Sequence, residues 1–247
     1  IVLGLIVGLL GARALHHPAR PTTSALAPTP QQQGRSGTST PQTTAPTNND
    51  PSATALSSLI VKPADVTAPL SVALLPGGAG LGVATLDLCN GTFPSDGLRT
   101  ARLQDAVFDA QDSATLSTEA VLYRDSAATT QAFAELKSAA AACPSTPVQS
   151  PDAQSSVVTK FNPAPDAAWP QTATVNRLAY DFTSTDESGQ PIHTIAVYLQ
   201  RGRALMGVYF FQPDGDQAAI AGQTTVPGIV GVFAGRMAAL PSSVVGS

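Results

Sequence analysis

At 247 residues the chain has room for one or two domains, and with only 12% charged residues and a net charge of −4 it has no general attraction for nucleic-acid phosphates. The composition is uneven. Three arginines against Asp50 make residues 1–57 basic, the acidic excess lies beyond them, and the first aromatic residue is Phe93. A packed core is therefore expected only from about residue 58 onward, as a single domain.

The chain opens "IVLGLIVGLLGARAL", a short apolar run broken by Arg13, and a preceding piece is expected before Ile1. Residues 1–15 fit the end of a transmembrane helix, which needs about 20 apolar residues. They equally fit the apolar region of a signal peptide cleaved at Ala12-Arg13-Ala14. Both readings export the rest of the chain. The expected location is the cell membrane, single-pass, with the folded part extracytoplasmic, or secretion after cleavage. Residues 16–57 are rich in Pro, Thr, Ser and Gln and lack hydrophobic periodicity, which predicts a disordered linker.

The folded part begins near "LIVKPADV" and "LSVALLPGGAGLGVATLDLC". Gly78, Gly80 and Gly82 give G-x-G-x-G, whereas a dinucleotide fingerprint needs a glycine where Val83 stands, and no Gly-Lys-Ser/Thr comes after it. The stretch reads as a turn, and no cofactor is expected. Residues 99–109 and 118–125 read as strands from their β-branched and aromatic content. A helix of about 17 residues comes next, capped by Asp125 or Ser126 and stopped by Pro144, with Phe133, Leu136, Ala140 and Cys143 on one face.

Residues 155–161 predict another strand, and "TVNRLAYDFTS" alternates Leu178, Tyr180 and Phe182 against Arg177, Ala179 and Asp181. "PIHTIAVYLQ" and "RALMGVYFF" complete an antiparallel meander, the last two strands joined through a two-residue loop at Arg201-Gly202. A final helix carries Ile229, Val230, Phe233, Met237 and Leu240 on one stripe, with Pro227 in its first turn and Pro241 ending it. The expected fold is α+β, a twisted antiparallel sheet with helices packed on one face, a two-layer sandwich spanning 58–247.

Cys89 and Cys143 are the only cysteines, and in an exported chain two cysteines most simply form a disulfide. Two buried thiols, or redox or metal chemistry, are the alternatives, although there is no C-x-x-C and His193 is the one histidine of the folded part. No G-x-S-x-G elbow accompanies His193. Asp105, Asp109, Asp112 and Glu119 could meet across a hairpin as a hydrolytic pair, but solvated turn carboxylates are the commoner case. Asn90-Gly91-Thr92 fits a glycosylation sequon. Trp169, the single tryptophan, sits in a Pro-rich loop and is the candidate ligand contact, with capping of the core as the alternative. A ligand site is expected beside the segments that flank the long helix, 76–82 and 144–154.

The succession "LDLCNG", "RTARLQ", "EAVLYRDSAATTQAFAELKSAAAACP", "VYLQRGRALMGVYFF" and "FAGRMAALPSSVVGS" resembles actinobacterial extracytoplasmic sensor-type domains, the family of PknH-like kinase extracellular domains and their lipoprotein relatives. The resemblance implies a ligand-sensing or binding domain with a cleft, stabilised by disulfides. Here only one disulfide can form, where the kinase-linked domain has two. The expected function is thus a non-enzymatic extracytoplasmic sensor or binding domain tethered to a membrane. A cell-wall assembly module working through protein contacts is the alternative. The expected partner is a small molecule, a lipid or a cell-wall component, with the membrane met only through the N-terminal segment and no catalytic residue or metal site.

Overall fold

The computed structural model describes residues 48–86, 88–150, 155–215 and 217–246. The expected anchor or signal segment, and the linker before residue 48, lie outside the described residues. Among the described residues no helix is long and apolar enough to cross a membrane.

One antiparallel open sheet of eight strands organises the domain, in the order β1-β2-β3-β8-β7-β6-β5-β4. The strands are β1 (Ser71–Leu74), β2 (Arg99–Phe108), β3 (Ala114–Tyr123), β4 (Val148–Gln149), β5 (Ser156–Phe161), β6 (Asn176–Thr185), β7 (Pro191–Arg201) and β8 (Ala204–Phe210). Two meanders, β1–β3 and β4–β8, are joined by helix α1 (Ser126–Ala141), and they close where β3 pairs with β8. Asp125 caps α1 by accepting a hydrogen bond from the Ala128 N–H, as its position before the apolar stripe predicts. Helix α2 (Val226–Ala238) starts with Thr225 as its cap and Pro227 in its first turn.

The α+β class and the antiparallel sheet stand as expected, but the helices do not share a face. Phe133 and Leu136 of α1 pack with Val121, Tyr198, Leu205 and Tyr209. Ile229, Phe233 and Met237 of α2 pack with Ala120, Val197, Met206 and Val208, the intervening residues on the same strands. Alternate residues of a strand point to opposite faces, so each helix covers its own side and the centre of the sheet has three layers. The strands at that centre require it. β8 is buried along its whole length and β7 over seven consecutive residues, so neither face could be left in water.

The domain also begins earlier than residue 58. Asn48 donates its carboxamide N–H to the Arg102 carbonyl and accepts from the Arg102 N–H, both at 3.0 Å, as a strand would. Asp50 pairs with Arg203 and accepts from Thr100 Oγ1 at 2.7 Å. A 3-10 turn at Ala53–Ser58 then buries Leu56 in the α2-side core. The expected linker therefore ends by residue 48. Its last ten residues carry too little apolar area to announce themselves by composition, and they fold because β2 and the β7–β8 hairpin offer them partners.

That hairpin turns at Gly202-Arg203, one residue beyond the expected loop, with Arg201 paired to Ala204. Gly202 sits at φ +54° and a Cβ there would lie 2.2 Å from the Val245 carbonyl oxygen, so only glycine fits.

Candidate functional site

Cys89 and Cys143 are bonded to each other, with their Cα atoms 5.8 Å apart. The bond fastens the segment after the glycine-rich turn to the end of α1. Cys89 and Asn90 both take positive φ, 59° and 51°, a left-handed pair that asparagine tolerates and the disulfide holds. The Asn90 amide donates to the Val148 carbonyl at 2.8 Å and is buried, so the sequon asparagine works as a second tie between the same two segments.

The glycine-rich turn is pinned as well. Arg99 donates to the carbonyls of Leu81 and Val83, and Arg102 to that of Gly77, each at 2.8 Å. Arg102 is itself buried, where it pairs with Glu119 at 2.5 Å and donates to the Gln104 side chain. Of the carboxylates considered for hydrolysis, Glu119 is thus bound to an arginine. Asp109 closes the β2–β3 turn by accepting from the Gln111 and Ser113 N–H groups. Glu119 pairs across strands with Gln104, so Asp105 lies on the opposite face of the sheet, where burial raises its carboxyl above the ordinary value. Glu119 and Asp105 therefore do not face each other.

Trp169 packs half-buried against the α2-side core, with the Arg177 guanidinium 5.5 Å over its ring. Arg177 is fixed in turn by Asp166 at 2.9 Å. This places the tryptophan as a cover over the start of β6.

The other end of β6 is only partly covered on the α2 side. α2 lies over β7 and β8, and beyond it the same face presents a polar row. Lys160 on β5 pairs with Thr183 on β6, and Thr183 with His193 on β7, so three polar side chains sit side by side on one face. One step toward the edge, a cleft of about 280 Å³ is lined by Pro147, Ser156, Val158, Lys160, Thr185, Asp186 and Glu187. It holds one cation, two hydroxyls, two carboxylates and a small apolar floor. Of the two segments expected to frame a site, the loop after α1 contributes Pro147.

His193 adjoins this row and is held on both sides. Its Nε2 lies 2.8 Å from Asp181 Oδ1 and its Nδ1 2.5 Å from Asp214 Oδ2. Asp181 also accepts from the Asn162 side chain at 2.7 Å. Burial lowers the affinity of the imidazole for a proton, but the hydrogen bonds to Asp214 and Asp181 outweigh it and raise the group above its ordinary 6.5. While both nitrogens donate to carboxylates, the ring has no free lone pair to act as a general base.

Neither a family model nor a curated protein matches the sequence. Among solved structures it is similar to the extracellular domain of PknH from Mycobacterium tuberculosis. The TM-score is 0.36 and the identity 11%, over 69% of this chain and 76% of that one. The disulfide suits an extracytoplasmic location.

The sequence alone places Asp181 on the polar face of β6, which is the visible part of this site. Lys160, Thr183 and Asp214 escape sequence reasoning. Lys160 stands alone in an apolar strand, and Asp214 meets His193 only through the return of β8 beside β7.

Proposed function

We propose that this chain is a non-enzymatic extracytoplasmic binding or sensor domain whose ligand site is the open end of the sheet around Lys160. The carrying observation is the cleft of about 280 Å³ beside the Lys160–Thr183–His193 row, polar groups on a face that is apolar everywhere under α2. Polar side chains on an otherwise buried face give no packing energy, and convergent polar groups on a rigid sheet are what orientation of a small ligand requires. An ε-ammonium next to Ser156 and Thr185 suits a carboxylate or phosphate group. Asp186 and Glu187 at the far rim suit an ammonium or hydroxyls, a combination that cell-wall peptides and sugars carry. The volume admits a small molecule or one residue of a larger one. Occupation of both His193 nitrogens supports binding over hydrolysis.

The reading is tested by calorimetric titration of the protein with acetate, inorganic phosphate and soluble disaccharide–peptide fragments of a cell wall. Binding of at least one of them is expected, weakened at least about tenfold by Lys160→Ala, the size of a lost hydrogen bond to a charged group. Trp169→Ala is expected to leave it within about twofold, because that ring faces Arg177 and the core. Binding that survives Lys160→Ala and fails in Trp169→Ala would move the site to the tryptophan loop.

A further inference from the structure

The contacts of His193 favour its doubly protonated form. An ionised carboxylate can only accept hydrogen bonds, whereas a neutral imidazole has a single N–H to give. Two hydrogen bonds from one ring to two carboxylates, at 2.8 Å and 2.5 Å, require both nitrogens to carry protons. This is the geometry that an imidazolium between two ionised carboxylates makes. The two partners are unequal. Asp181 stands on a strand, is 18% exposed at its side chain and is also held by Asn162. Asp214 is 80% exposed, on the segment that leaves β8 and returns to the core at Ile220. When the ring keeps one proton, that proton stays with Asp181 and the Asp214 contact is the one lost.

We infer that His193 makes this domain a proton sensor: charged, it clips the segment after β8 to the open face of the sheet through Asp214, and neutral, it lets that segment go. The ligand in this case is the proton, so the inference stands whether or not the cleft beside Lys160 binds a small molecule. The clip shares its row with Thr183 and Lys160, and its release changes the border of the same open face. Among the described residues, the charged groups on the elements around His193 are Asp181 and the more distant Arg177 on β6, Arg201 at the far end of β7, Lys160 on β5, Asp214 after β8, and Asp186 and Glu187 in the β6–β7 turn. Only Asp181 and Asp214 bond the ring.

The charged state is favoured in the folded protein, so the clip is complete below the ordinary histidine value of 6.5 and is lost as pH rises through the raised one. The experiment is an NMR titration of the His193 ring nitrogens in the 247-residue chain, with amide hydrogen exchange of residues 211, 212, 214, 215 and 217–220 measured alongside and corrected for intrinsic pH dependence. The expected result is a midpoint above 6.5, both nitrogens protonated below it, and a midpoint that falls in Asp214→Asn. Opening of the segment should rise roughly two- to fivefold across the midpoint, the size of an exposed ion pair. In Asp214→Asn and His193→Gln the corrected exchange should be flat and already at its high-pH level. The inference is overturned by a single-proton tautomer throughout, by a midpoint at or below 6.5, or by corrected exchange in the wild type as flat as in either variant. Two variants are used because Asp214→Asn, at an exposed position, keeps the test open if the histidine variant misfolds.

Discussion

The α2-side face of the sheet is two surfaces in one. Under α2, the face of β8 and β7 is built from Met206, Val208, Val197 and Leu199, all buried, and it meets Ile229, Phe233 and Met237. On the next two strands the same face of β6 and β5 carries Asp181, Thr183 and Lys160, none of them fully buried. The backbone hydrogen bonding continues through both, so the ladder cannot be what separates them. The difference lies in side chains alone: the apolar end is held by burial, while the polar end is carried by its neighbour and is free to specialise. Rigidity from the one is what gives the other a fixed geometry.

That contrast can be broken first at the covered end. Phe233→Ala removes a fully buried ring between α2 and the sheet and should cost about 3–5 kcal/mol in urea denaturation. Thr183→Ala at the open end should cost about 0.5 kcal/mol or less. Equal losses would mean that the open end is scaffold too.

Next in size is the disulfide. Replacing Cys89 and Cys143 by serine releases the 54-residue link between the β1–β2 connection and the end of α1 and should cost about 2–4 kcal/mol. The loss should appear on both faces alike, since the bond constrains the unfolded chain more than either surface.

Asp50→Ala should cost about 2–3 kcal/mol, because it leaves the Arg203 guanidinium half-buried without its partner. The hydrogen bond from Arg203 holds the Asp50 carboxyl far below its ordinary 3.8, against the opposing effect of burial. Its contribution is therefore complete above pH 3.8 and is lost as pH falls through the depressed value, the reverse of the His193 clip. A protein beginning at Asn48 should match the full chain in stability, and one beginning at Ser58 should not. Equal melting of the two would detach residues 48–57 from the domain.

How much of this was legible depends on whether the signal was local. β6 announced its two faces, because Leu178, Tyr180 and Phe182 alternate with Arg177, Ala179 and Asp181. α1 shows its cap at Asp125 and its stop at Pro144, and α2 shows its first turn at Pro227 and its stop at Pro241. The disulfide could be read from two cysteines and an export-like N-terminus. The stripes on the helices do not say which face of the sheet each covers; the strands do. "IAVYL" and "ALMGVYF" do not alternate, and a strand apolar on both sides needs a layer on each. β1 passed unnoticed inside a run broken by Pro69 and Pro76, four residues long and paired only with β2. The N-terminal boundary was misplaced because Asn48 and Asp50 are held by polar contacts to residues 54 and 153 positions away. Composition carries no trace of such pairs, and the same is true of Asp214 and His193.

The most direct test of the division between scaffold and site is a map of which backbone amides respond in ¹H–¹⁵N NMR spectra when the protein is titrated with soluble cell-wall disaccharide–peptide fragments. The account predicts shifts gathered on residues 156–160, 183–187 and 193, removed by Lys160→Ala, with the amides of α2 and of the Trp169 loop unmoved. Shifts centred on residues 166–170 or on the glycine-rich turn at 76–82, and indifferent to Lys160→Ala, would contradict it.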